Sequence, residues 1–137
     1  KKVAHYMIKN PISVNANSSL NQVLAIMTKE NISHTIVTDD EKKIVGVISK
    51  NDLMQKFRSV AVNSSGQVYA NLELNNIKSK DIMTEGYISV AKDDPLDYAI
   101  ELLLQKQFHC LPVIEDNKAI GIVTFYDLLK GYYQEFG

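Results

Sequence analysis

Apolar residues recur along this chain at two different spacings, and each spacing occurs twice. Leu20, Val23, Leu24 and Met27 stand at i, i+3, i+4 and i+7, which places them on one face of an α-helix. Leu96, Ala99, Ile100 and Leu103 repeat that spacing. Start signals precede both: Ser18-Ser19 in the first copy, and Asp93-Asp94 with Pro95 at a first-turn position in the second. Asn31 ends the first helix, because Asn tolerates the left-handed C-cap conformation. Two β-branched runs follow each helix: Thr35–Thr38 then Ile44–Ser49, and Leu111–Ile114 then Ala119–Thr124. The polar turns between them, Asp39–Lys43 and Glu115–Lys118, make each pair a predicted hairpin. A further helix is predicted from Lys50 and again from Phe125.

These elements belong to one internal repeat. Met7 lies over Met83, Leu20 over Leu96 and Val37 over Val113 at an offset of 76; after Lys42 one residue drops out, and Gly46, Asp52 and Leu53 lie over Gly121, Asp127 and Leu128 at 75. Each half is predicted to run β-α-β-β-α. The first strands cover Pro11-Ile12-Ser13-Val14 and Tyr87-Ile88-Ser89-Val90, behind short helical lead-ins at Val3–Met7 and Ile77–Met83. The expected organisation is repeat 1 over residues 1–60, a linker over 61–76 and repeat 2 over 77–137. Within the linker, Val68, Ala70, Leu72 and Leu74 alternate with polar residues, a pattern compatible with extended chain. A half of about 55 residues buries little apolar surface by itself, so an α/β (α+β) pair is expected, packed by pseudo-twofold symmetry through its sheets.

Composition narrows the function classes. Forty-five per cent hydrophobic and 23% charged residues describe an ordinary globular chain. No run of 18 apolar residues occurs, so no membrane partner is expected, and no apolar stretch follows Lys1-Lys2 to form a secretory signal. A net charge of −1 argues against a nucleic-acid partner. One cysteine, Cys110, excludes an internal disulfide framework and fits a reducing, cytoplasmic setting. His5, His34 and His109 are scattered singly, so no metal site is predicted. No P-loop and no Ser, His and Asp trio in recognisable context are present, so no catalysis is expected.

The chemistry concentrates where each last strand meets its helix, at Gly46-Val47-Ile48-Ser49-Lys50-Asn51-Asp52 and Gly121-Ile122-Val123-Thr124-Phe125-Tyr126-Asp127. The first N–H groups of a helix lack intrahelical acceptors, and with the helix dipole they attract an anion. The Ser49 or Thr124 hydroxyl adds a donor. Asp52 or Asp127, one turn in, accepts two hydrogen bonds at once, such as those of vicinal ribose hydroxyls. The same residue types also form a capping box that merely starts a helix well. Both readings stand on the residues alone.

The repeated motif and its surrounding elements resemble the cystathionine-β-synthase (CBS) domain family, and the pair resembles the module called a Bateman domain, over about Val3 to Gly131. The resemblance implies a regulatory module that needs no cofactor and binds an adenine nucleotide (AMP, ADP, ATP or S-adenosylmethionine) in the cleft between repeats. It implies ribose and phosphate at Ser49, Asp52, Thr124 and Asp127, and the base against Ile12, Val14, Ile88 and Val90. It further points to His109, three places before Pro112, for phosphate, with Ser33 at the matching position and His34 matching Cys110. The first half departs from the pattern by holding Ile36 where Pro112 stands in the second. Lys9 and Lys50 are additional candidates to neutralise phosphate. The family also implies a homodimer through helices, for which Tyr132, Tyr133 and Phe136 of the last helix are the candidates. The competing class is a dimerising scaffold without a ligand.

Overall fold

The computed structural model describes residues 1–63, 73–106 and 108–136. In chain order these form a 3-10 turn (Val3–His5), β1 (Ile8–Lys9), β2 (Ser13–Asn15), α1 (Leu20–Glu30), β3 (His34–Thr38), β4 (Ile44–Ser49), α2 (Lys50–Asn63), α3 (Ser79–Ile82), α4 (Leu96–Lys106), β5 (Cys110–Glu115), β6 (Lys118–Thr124) and α5 (Phe125–Phe136). They gather into two compact units, one of Ile12–Glu85 and one of Lys1–Pro11 with Gly86–Gly137.

In the Ile12–Glu85 unit the sheet order is β2-β3-β4, with β2 parallel and β4 antiparallel to β3. Helix α1 starts as its sequence requires. The Ser19 Oγ accepts from the Gln22 N–H at 3.2 Å, and the Gln22 side chain accepts from the Ser19 N–H at 2.9 Å. It ends at Asn31 in the left-handed conformation (φ 52°, ψ 48°). Val14, Leu20, Val23, Met27, Val37, Ile48 and Leu53 form the core together with Leu74. Leu74 is therefore no part of an extended linker: residues 73–76 form a helical turn that buries it. Val68, Ala70 and Leu72 lie outside the described residues.

The second unit is built alike around Val90, Leu96, Ala99, Leu103, Leu111, Val113, Val123 and Leu128. Pro95 stands just ahead of α4 rather than inside it, and its carbonyl accepts from the Tyr98 N–H at 3.1 Å. Asp116 and Asn117, with φ of 54° and 66°, turn β5 into β6. Two consecutive left-handed residues are what a tight hairpin with the natural strand twist needs.

The units divide the chain differently from the repeats, because the lead-ins are exchanged. Val3 is buried in the second unit, where its N–H bonds the Asp94 carbonyl at 3.0 Å, and β1 pairs antiparallel with β6. Reciprocally, the Ser79 and Lys80 N–H groups bond the Ser18 and Ala16 carbonyls at 2.8 and 2.9 Å, and Thr84 bridges Val47 on β4. A lead-in of one turn has no sheet of its own, whereas the outer edges of β4 and β6 carry unpaired backbone groups that it satisfies. The motif glycines admit it. A Cβ on Gly46 would stand 2.7 Å from Met83 Sδ, and one on Gly121 would meet Met7 Sδ and the Ile8 carbonyl.

One predicted strand is missing. Residues 87–89 form none, and only Val90 bridges to Val113. In the first unit the Ile36 N–H donates to the Ile12 carbonyl at 3.3 Å and extends that pairing. Its counterpart Pro112 has no N–H, so the ladder shortens to Val90, whose N–H reaches the Pro112 carbonyl at 3.0 Å.

Candidate functional site

Each strand–helix junction holds its Ser/Thr and Asp in reciprocal contact. The Ser49 N–H donates to Asp52 Oδ2 at 3.0 Å, and the Asp52 N–H donates to Ser49 Oγ at 3.1 Å. At the second junction the Thr124 N–H donates to Asp127 Oδ2 at 2.9 Å and the Asp127 N–H to Thr124 Oγ1 at 3.2 Å. The Thr124 hydroxyl makes one more bond, to Asp127 Oδ2 at 2.9 Å. The capping interaction is thus realised in both copies, and it leaves Oδ1 of each carboxylate without a hydrogen bond among the described residues. Capping occupies Oδ2 and so leaves Oδ1 of each carboxylate available, whereas the Thr124 hydroxyl proton is committed to Asp127 rather than offered as a donor. All four residues are half-buried, within reach of a solute yet shielded enough to strengthen a charge-assisted bond.

Of the remaining first-unit candidates, Ser33 and His34 adjoin the Ser49 junction, whereas Ile12 and Val14 lie on the opposite side of β3 from β4. His34 pairs with Ser49 in the β3–β4 register, and the Ser33 carbonyl accepts the Lys50 N–H at 2.7 Å, tying the start of α2 to the approach of β3. Ser33 Oγ lies 3.0 Å from His34 Nδ1. Ile12 is half-buried beside β3, and its carbonyl accepts both the Ile36 N–H and the Thr35 hydroxyl, the latter at 3.0 Å. Val14 is core.

In the second unit Thr124 pairs with Cys110 on one side of β5, and Val90 with Val113 on the other. His109 is exposed at the head of β5, Pro112 is fully buried, Val90 is core and Ile88 is half-buried. No described residue donates to the Ile88 carbonyl, the counterpart of the doubly bonded Ile12 carbonyl. Beside it, partial burial pushes the Tyr87 phenol above its ordinary pKa. The open Ile88 acceptor is a feature the side-chain pattern does not name, although the missing N–H of Pro112 signals it. Lys9 is exposed in β1, in a different unit from the Lys50 junction.

Two grooves lie between helix pairs. A groove of about 310 Å³ between α1 and α2 is lined by Leu20, Leu24, Lys50, Leu53, Met54, Phe57, Arg58 and Leu74. A smaller one of about 210 Å³ between α4 and α5 is lined by Ile100, Phe125, Leu128, Leu129 and Tyr132. Leu128 is core, whereas Leu129, Tyr132 and Tyr133 are more than half exposed. The Phe136 side chain lies outside the described residues. Among those residues, no three His, Cys, Asp or Glu side chains gather as metal ligands, and no helix is long and apolar enough to cross a membrane.

Comparison with known proteins gives one consistent answer. The profile of the CBS domain matches residues 3–59 and 80–133. The chain is 29% identical over 131 residues to inosine-5'-monophosphate dehydrogenase of Methanocaldococcus jannaschii, covering 95% of the chain but 23% of that protein. It is 27% identical over 129 residues to L-aspartate semialdehyde sulfurtransferase of the same organism, covering 93% and 22%. The chain thus spans about a quarter of the length of these relatives. Among solved structures, CBSX2 in complex with AMP superposes with a TM-score of 0.78 at 27% identity, covering 98% of this chain and 97% of that one. The domain pair of protein MJ0100, in complex with 5'-methylthioadenosine and S-adenosyl-L-methionine, superposes with a TM-score of 0.80 at 25% identity, covering 98% of each chain.

Proposed function

The chain belongs to the CBS domain family, and from that premise we propose that it is a regulatory module, without catalysis of its own, which binds an adenine nucleotide at its strand–helix junctions. The observation that carries this reading is the second junction. Thr124 and Asp127 offer a helix N-terminus and an uncommitted carboxylate oxygen on one side of β5, while the Ile88 carbonyl is an open acceptor on the other. Phosphate, ribose hydroxyls and an exocyclic amine are the three groups such a set recognises. The adenosine-bearing ligands of CBSX2 and MJ0100 support the same class. Occupancy is passed on when the ligand binds one arrangement of the chain better than another. The recipient is a partner or attached domain, and the reading includes a homodimer formed through the helices in a cytoplasmic setting. A ligand-free scaffold is the second reading, favoured by the two apolar grooves between helix pairs.

Thermal denaturation with millimolar AMP, ADP, ATP and S-adenosylmethionine separates the two. At least one is expected to raise the melting temperature by several degrees, as any ligand specific to the native state must. If all four leave it unmoved, the scaffold reading replaces the sensor.

A further inference from the structure

The groove between α1 and α2 differs in charge from its counterpart between α4 and α5, and we propose that it binds a soluble fatty-acid-like amphiphile, an apolar chain ending in a carboxylate. The inference rests on neither reading of the junctions. The groove reaches the core, since Leu20, Leu53 and Leu74 in its lining are at most 5% exposed, while Leu24, Met54 and Phe57 are each more than 40% exposed. An apolar lining with a few polar groups is the ordinary form of a small-molecule site, and about 310 Å³ lies at the low end of the range for such sites.

Charge identifies the occupant. Lys50 and Arg58 line the groove, no acidic residue does, and neither cation makes an ion pair among the described residues. They stand eight positions apart on α2, about 12 Å along its axis, with Leu53, Met54 and Phe57 between them. The Arg58 Nε–H donates to the Met54 carbonyl at 3.4 Å, which ties the guanidinium to its own helix and leaves the terminal N–H groups for the two oxygens of a carboxylate. The second unit supplies the contrast. At the repeat offset of 75, Phe125 and Tyr133 replace Lys50 and Arg58, and the α4/α5 groove has no cation in its lining. Packing apolar surface requires no charge, so two unpaired cations at one groove and none at its equivalent favour an anionic occupant at the first. Such an occupant is apolar over most of its length and anionic at an end.

The test is calorimetric titration with decanoate below its micellar concentration, read alongside the methionine methyl resonances of an isotope-labelled sample. Decanoate is expected to bind and to shift Met54, which lines the groove, while Met7, which belongs to the other unit, stays in place. Removing two methylenes from the ligand should weaken binding about 3- to 15-fold. Arg58→Gln, at an exposed position, should weaken decanoate about 3- to 20-fold and leave the uncharged decanol within about 2-fold. Phe57→Ala should weaken both ligands. An unmoved Met54 resonance, an affinity independent of chain length, or unchanged decanoate binding by Arg58→Gln each overturn the proposal. So does sedimentation with phosphatidylglycerol vesicles in the absence of decanoate binding, which assigns the groove to a membrane surface instead.

Discussion

The two units are built from the same repeat, yet they use their sheets differently. In the first, β2 pairs with β3 over three residues, and the Ile12 carbonyl is occupied by the Ile36 N–H and the Thr35 hydroxyl. In the second, the corresponding strand shrinks to a bridge at Val90, while the lead-in forms a two-residue strand, β1, on the opposite edge. The replacement of Ile36 by Pro112 accounts for the first change, since one lost N–H removes one ladder bond. The difference bears on the proposed site. A carbonyl satisfied inside the protein has little to gain from a ligand, whereas at the proposed site the Ile88 carbonyl has only to exchange water for a ligand donor. Repetition of a fold therefore does not imply repetition of a site.

The largest effect expected from any attempt to equalise the units is at the lead-in. A Cβ on Gly131 would overlap the ring of Tyr6, so Gly131→Ala is predicted to cost about 1–3 kcal/mol in chemical denaturation. The equivalent residue of the first unit is Lys56, and Lys56→Ala should stay within about 0.5 kcal/mol. Comparable losses at both positions would mean that the lead-in does not distinguish the units in this way.

Next is the carboxylate pair. Asp52→Ala and Asp127→Ala both remove a helix cap and should lower stability alike, by about 1 kcal/mol. In nucleotide calorimetry they should separate. Asp127→Ala is expected to weaken binding about 10- to 100-fold, and Asp52→Ala less than about 5-fold. Equal affinity losses would erase the distinction between the sites.

Pro112→Ile transplants the first unit's residue into the second and supplies an N–H for the Ile88 carbonyl. Occupying that acceptor should reduce nucleotide affinity about 2- to 10-fold without loss of folding cooperativity. An unchanged affinity would show that the ligand does not use the carbonyl.

The smallest effect concerns the exposed Lys92–Glu115 pair of the second unit, 2.9 Å apart. Its hydrogen bond to Glu115 and the attraction of that carboxylate raise the Lys92 pKa, with smaller help from Asp93 and Asp116. A raised lysine pKa contributes fully below the unfolded value, and the contribution is lost as pH climbs from there through the folded one, so neutral pH lies on the plateau. Glu115→Gln should lower the Lys92 pKa in an NMR titration yet move the neutral-pH melting temperature by less than about 1 °C.

Much of each unit was legible residue by residue. The face of α1, its Ser19 start and Asn31 stop, both hairpins and both junction motifs follow from spacing and short-range chemistry, and the structure holds them where that chemistry places them. The α1/α2 groove was less visible, although Met54, Phe57 and Arg58 carry its signal at i, i+3 and i+4. The absent strand at Tyr87–Val90 was written in Pro112, but only for a reader who already knew which carbonyl that nitrogen would have faced.

What the sequence determined by itself is the repeat, its elements and the residues at the two junctions, because each depends on neighbours within a few positions along the chain. What tertiary structure alone decided is which unit receives each lead-in and which backbone acceptors stay open. Both depend on edges and carbonyls that meet only after folding. Lys1–Pro11 joins a unit whose other part begins at Gly86, and no local pattern in those first residues distinguishes that sheet from the one beside it in sequence. The reason is physical: an unpaired strand edge attracts any chain that can reach it, and reach is a property of the folded molecule.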